Sequence, residues 1–186
     1  MRSVVGISAD VLQVIGTNCI YPADSQFVLD NILKLYAVSP TEEDDVRILK
    51  FAPFAIVTHR DTILVRPKNN NFVLGFGRQC NWSPEYSQSS IKIAVIQTLY
   101  QELDQYIPET TYDLHPVGFL HTDDRTYDRG NLGCFLRIEL KNQHCISVNG
   151  NLWFVKIDKL DPYFFVGWSR YIVEYFLKCR QLSGIV

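Results

Sequence analysis

Apolar and polar positions alternate along "SVVGIS" near the start of the chain, the period of a half-buried strand. Asp24 and Ser25 can cap a helix across "SQFVLDNILKLYA", with Phe27, Leu29, Ile32, Leu33 and Tyr36 on its buried side. The acidic stretch "SPTEEDDV" then reads as a solvated loop; four acids in a row attract cations, but a flexible loop is a poor cage. Two apolar runs follow, "FAPFAIVTH" and "TILVRP", joined by a turn at Arg60 and Asp61. "NNNFVLGFGRQCNWSP" predicts a strand running into a glycine-containing loop. A helix is expected from about Ser89 to Tyr106, stopped near Pro108. Three more strands are expected at "TYDLHPVGFLHT", "GCFLRIEL" and "LWFVKID". The last element predicted is an aromatic helix, "YFFVGWSRYIVEYFLKC", in which Phe164, Trp168, Ile172, Tyr175 and Cys179 have helical spacing.

This order of strands and helices predicts an α/β or α+β sandwich, a mixed sheet packed between helices. The helix at 89–106 carries the candidate chemistry. On a wheel, Ile93, Ile96, Tyr100, Leu103 and Ile107 form an apolar stripe widened by Val95 and Leu99. Thr98, Gln101, Glu102 and Gln105 gather on another face, because residues three and four apart are neighbours. Glutamates at those positions would converge on one point and suit hard Mg²⁺, completed by water and phosphate oxygens.

Composition narrows the class. A length of 186 residues favours one domain over the whole chain, 1–186, with 1–45 a strand–helix extension. With 47% apolar and 13% aromatic residues the chain can bury a sizeable core. Its net charge of -2 is spread along the sequence, so no basic block points to nucleic acid. Cys19, Cys80, Cys134, Cys145 and Cys179 are widely spaced and form no CxxC pair, which argues against structural zinc and for reduced thiols in a cytoplasmic protein. The start reads as a strand rather than a signal peptide, and no run approaches a membrane span of about 20 apolar residues.

"AVIQTLYQELDQ" resembles the second half of the Nudix box, whose usual form is "AxxRExxEExG". "LGFGRQCNW" resembles the strand and glycine loop that open it. Gln97 stands where the family has Arg, Thr98 where it has Glu, and Gln101 and Glu102 where it has two adjacent Glu. Asp104 takes the Gly position, Arg78 replaces the second loop glycine, and Glu85 stands loosely for the early Glu. Nearly the whole chain is similar to a bacterial Nudix subgroup labelled predicted phosphoesterase: "VGFLHTDDRTYDRGNLG" is the most specific match and "VGWSRYIVEYF" the last. The resemblance implies the Nudix sandwich, with the box as loop–helix–loop.

What the resemblance implies for function is hydrolysis of a diphosphate linkage by water on Mg²⁺ held by box carboxylates. Here a hydroxyl and an amide replace two of them, and the Arg that would steady them is Gln97. The expectation is therefore a catalytically degenerate Nudix-fold protein that binds a nucleotide-like ligand or a protein partner, or forms a homo-oligomer, with no cofactor and with Mg²⁺ only if activity is retained. Arg66, Arg78, Trp82, Gln97, Thr98, Gln101 and Arg129 are the candidate ligand-binding residues, Trp82 by stacking on a base; Lys68 could join Arg66 at phosphate. The alternative is a phosphohydrolase with a rebuilt metal site, Glu102 with Asp123 and Asp124 from "HTDDRTYDRG" and His121 as a base. The bland reading of that segment is a turn with exposed Asp–Arg pairs. A third possibility is a structural subunit of a larger assembly. His59, His115 and His144 are expected at the surface or strand edges, and Trp153 and Trp168 in the core. No Ser or Cys sits in a nucleophile-elbow pattern.

Overall fold

A computed structural model describes residues 4–22, 36–39, 45, 47–77, 88–123, 130–147 and 151–183. In chain order these form β1 (Val4–Ser8), the short α1 (Leu12–Ile15), β2 (Tyr21–Pro22), β3 (Tyr36–Val38), β4 (Ile48–His59), β5 (Thr62–Lys68), β6 (Asn71–Leu74) and β7 (Phe76–Gly77). There follow α2 (Gln88–Leu103), β8 (Tyr112–Leu120), β9 (Asn131–Leu140), β10 (Trp153–Lys156) and α3 (Trp168–Ser183).

The sheet is organised around β4. One side of this strand pairs in parallel with β9 along Lys50–Thr58. Three short antiparallel partners line its other side: β1 at Ile48–Lys50, β7 at Phe54–Ala55 and β5 at Thr58–His59. The main path is β10-β5-β4-β9-β8-β2, so the sheet is mixed, as the apolar pattern predicted. β7 can approach β4 because Gly77 has no side chain; a Cβ there would lie 2.5 Å from the Phe54 ring and the Pro53 carbonyl.

Alternation along the strands distributes side chains to two faces. Ala55, Val57, Leu64, Phe76, Leu136 and Ile138 pack beneath Val95 and Leu99 of α2. Ala52, Ile56, Ile63, Val65 and Phe135 pack beneath Trp168, Ile172 and Val173 of α3. The Trp168 ring meets Phe54 at 4.9 Å and Phe135 at 5.5 Å, both edge-on, which places it in the core as expected. Ser169 fixes the start of α3 to β6: its hydroxyl accepts from the Leu74 N–H at 2.9 Å and donates to the Leu74 carbonyl at 3.2 Å.

Several sequence expectations change. Tyr36 and Ala37 belong to a strand, not to a helix, because they pair with Gly6 and Val5 of β1; the rest of the helix expected from Ser25 lies outside the described residues. Phe164 is not in α3. It sits in a 3-10 turn, Pro162–Phe164, whose start is capped by Asp161 accepting from the Tyr163 N–H at 2.9 Å. Trp153 is 42% exposed on β10 rather than in the core. On α2, Ile93 is 56% exposed although it fits the apolar stripe; the deepest side chains are Val95 and Leu99 instead. Among the described residues no helix is long and apolar enough to cross a membrane.

Candidate functional site

Rotation of α2 decides what its box positions present. With Val95 and Leu99 against the sheet, Thr98 between them is drawn under the helix and is only 5% exposed. It therefore does not share the open polar face that the wheel gave it. Gln97 and Gln101 point outward. Gln105 is held at both ends of its amide: Nε2 donates to the Cys145 carbonyl at 2.7 Å, and Oε1 accepts from the Ser147 N–H at 2.8 Å. Glu102 remains as the carboxylate at the paired-Glu position.

That carboxylate has a cationic partner. Arg66 Nη1 donates to Glu102 Oε2 at 2.9 Å, with the two side chains 37% and 34% exposed. Arg66 extends from β5 on the same face as Leu64, because side chains two apart share a face. Its guanidinium carbon lies 5.2 Å from the centre of the Phe76 ring, a cation–π contact that helps hold it over the sheet.

The helix stops at the position where the sequence resemblance implies a glycine. Asp104 adopts φ +50, and the Gln105 N–H donates to the Tyr100 carbonyl at 3.2 Å, closing a Schellman turn. An aspartate thus carries out a left-handed turn that favours glycine.

The other candidate segment follows β8. His121 is buried, and its Nδ1 faces the Asn131 carbonyl at 2.8 Å, so that nitrogen carries the hydrogen and ties β8 to the start of β9. Asp123 is exposed, with Oδ1 accepting from Asn18 Nδ2 at 2.7 Å. Asn18 also receives a weak hydrogen bond from the Tyr171 hydroxyl of α3 at 3.4 Å. These contacts give His121 and Asp123 structural roles that join the N-terminal segment, β8 and α3. Between them, Thr122 is fully buried, and its hydroxyl has no hydrogen-bond partner among the described residues. Glu102, His121 and Asp123 do not assemble, and among the described residues no group of three or more His, Cys, Asp or Glu could hold a metal. Arg78, Trp82, Glu85, Asp124, Arg125, Asp128 and Arg129 lie outside the described residues.

The donor chemistry on α2 does not fit Mg²⁺. The ion needs several anionic oxygens at short distance. The described helix offers one carboxylate, already facing a guanidinium, beside a buried hydroxyl and an amide. Sequence reasoning missed Phe76 and Asn18. The first is flanked by Gly75 and Gly77, a hint of close backbone approach, and the second adopts φ +60, a turn conformation asparagine tolerates.

No protein-family model matches the chain. No curated protein matches it in sequence. Its structure does resemble solved ones. Tm1382, "a putative Nudix hydrolase", superposes with a TM-score of 0.72 at 13% identity, over 96% of this chain and 100% of that one. The E. coli dihydroneopterin triphosphate pyrophosphohydrolase gives a TM-score of 0.47 at 9% identity, over 69% and 96%. The C. elegans Ap4A hydrolase gives 0.44 at 8%, over 72% and 98%. The chain has the Nudix fold, an α+β arrangement of a mixed sheet between helices.

Proposed function

We propose that the protein is a Nudix-fold binding module that recognises a nucleotide-like ligand through its diphosphate, without metal-assisted hydrolysis. The observation that supports this most directly is the Arg66–Glu102 pair. A catalytic box helix needs its carboxylates turned to a divalent cation. Here the carboxylate at the paired-Glu position neutralises an arginine, and a cation placed beside it would be repelled by that guanidinium. An incoming phosphate meets the reverse situation: Arg66 offers planar donors suited to its oxygens. Gln97 and Gln101 add neutral hydrogen-bonding groups on the exposed side of α2. In this reading Arg78 and Arg129 supply further positive charge and Trp82 a stacking surface, by their places in the sequence.

The test is a thermal-shift and turnover panel of ADP and other nucleoside diphosphate derivatives, each with Mg²⁺, Mn²⁺ or EDTA. Binding at a hundredfold excess over Kd adds about 2.7 kcal/mol of apparent stability. The expected outcome is a rise in Tm of several degrees that EDTA does not remove, with no product formed. Turnover that Glu102→Gln abolishes would overturn this reading in favour of a rebuilt metal site of Glu102, Asp123 and Asp124.

A further inference from the structure

On the opposite face of the sheet from Glu102, an open cleft of about 320 Å³ lies between the β5–β10 edge and the turn that precedes α3. Its lining is apolar. Val65, Val155, Leu160 and Phe165 belong to the core beneath α3 or pack against it. Phe72 stands in the wall, edge-on to Trp153 at 6.1 Å and tilted against Phe165 at 6.0 Å. Trp153 and Phe164 line the cleft while remaining 42% and 49% exposed, so two aromatic rings stand at its opening. Nothing in the Nudix-box reading uses these residues.

We propose that this cleft is a second ligand site, for a small anion with an aromatic body. Volume and lining both fit: ligand clefts measure roughly 300–1,000 Å³ and combine apolar and aromatic walls with a few polar groups. The sign of the polar group follows from what its charged neighbours do. Two charged residues line the cleft, Lys159 and Asp161. The Asp161 carboxylate is turned into its own 3-10 turn, where it caps the Tyr163 N–H. The adjacent Asp158 faces Arg180 at 4.0 Å. Lys159 is exposed and has no hydrogen-bond or ion-pair partner among the described residues. Asp161 keeps its charge but faces its own turn, so among the described residues Lys159 is the lining charge left to meet a ligand. Aromatic rings at the opening favour a flat body stacked or edge-on over an extended chain.

Two fluorescent probes with one body separate the apolar and ionic contributions: 1-anilinonaphthalene-8-sulfonate, which is an anion, and N-phenyl-1-naphthylamine, which is neutral. Both should bind saturably to the full chain. The sulfonate should bind about two- to fivefold more tightly, the range of an exposed ion pair. Lys159→Met should remove that preference and leave the neutral probe unchanged. Val155→Trp, which fills the cleft, should abolish both; Phe164→Ala, at the opening, should weaken both, and its melting curve guards against a misfolded Val155→Trp. Absence of saturable binding, equal affinity for the two probes, or a preference that survives Lys159→Met would overturn the proposal. So would a dimer in sedimentation that Trp153→Ala dissociates and that excludes the probes, which would assign the face to a second copy of the chain.

Discussion

Replacing Glu102 by Gln separates the two readings of α2 by the sign of its effect. The carboxylate and Arg66 are 2.9 Å apart at their nearest atoms and each about one-third exposed. Two unit charges about 4 Å apart attract by about 1 kcal/mol in a water-like medium and about 4 kcal/mol at an effective dielectric of about 20. Exposure puts this pair near the lower figure, and measured exposed pairs contribute about 0.2–1 kcal/mol. The fold should therefore lose at most about 1 kcal/mol, a fall in Tm below about 4 °C for a chain of this size. Ligand binding should move the other way. With its competitor neutralised, Arg66 can turn wholly to phosphate, and about 1 kcal/mol corresponds to an affinity gain near fivefold. In a metal-dependent site the same substitution removes a cation ligand, and affinity falls. Isothermal titration of ADP and of inorganic pyrophosphate into wild type and Glu102→Gln, in EDTA and in Mg²⁺, reads the sign. Weaker binding by the variant, or binding that appears only with Mg²⁺, would refute the reasoning.

Other expectations follow from single contacts. Arg66→Ala should weaken ADP binding by about tenfold or more, because hydrogen bonds to charged groups are worth about 1.5–3 kcal/mol. Asp104→Gly should stabilise the protein by about 0.5–1 kcal/mol in chemical denaturation, since it relieves a left-handed aspartate and removes a negative charge from a helix C-terminus. Gly118→Ala should be strongly destabilising and should free β2: the residue has φ +153, and its Cβ would lie 2.1 Å from the Tyr21 carbonyl oxygen. Soluble expression and a urea midpoint measure it. The Asp45 carboxyl, held down to about 2 by hydrogen bonds from Arg47, should titrate at that pH by NMR and return towards 3.8 in Arg47→Ala. Because its folded pKa is lowered, its favourable contribution is complete above its ordinary range and disappears as pH falls through about 2.

The strands around β4 were legible because apolar runs bounded by polar turns carry a local signal. Arg60 and Asp61 marked one turn, and Asn69 with φ +57 sits in another. The helix at Gln88–Leu103 was equally clear, since spacing alone sets a wheel. What a wheel leaves open is its rotation by one position, and that rotation buries Thr98 and exposes Ile93. The partner of Glu102 was also hidden. Arg66 lies on another element, 36 residues earlier, and only the pairing of both β5 and β7 with β4 brings its guanidinium over Phe76 and up to α2. Trp153 misled for a different reason: an apolar strand at a sheet edge has the same composition as one inside. In Asp104 the sequence showed a missing glycine, but not that the chain would make the glycine turn regardless.

The parallel pairing of β4 with β9 has a kinetic consequence. The matched residues are about eighty positions apart in the chain. Closing a flexible loop of that length costs about 4 kcal/mol by its length dependence alone, before any contact across the pair repays it. At about 5–20 residues per second, a ribosome needs roughly 4–16 seconds between delivering β4 and delivering its partner. Through that interval Ile56, Val57 and Phe51 have no β9 beside them. β1, β7 and β5 occupy only its other side, so the nascent chain holds one side of an apolar strand open until the last third is made.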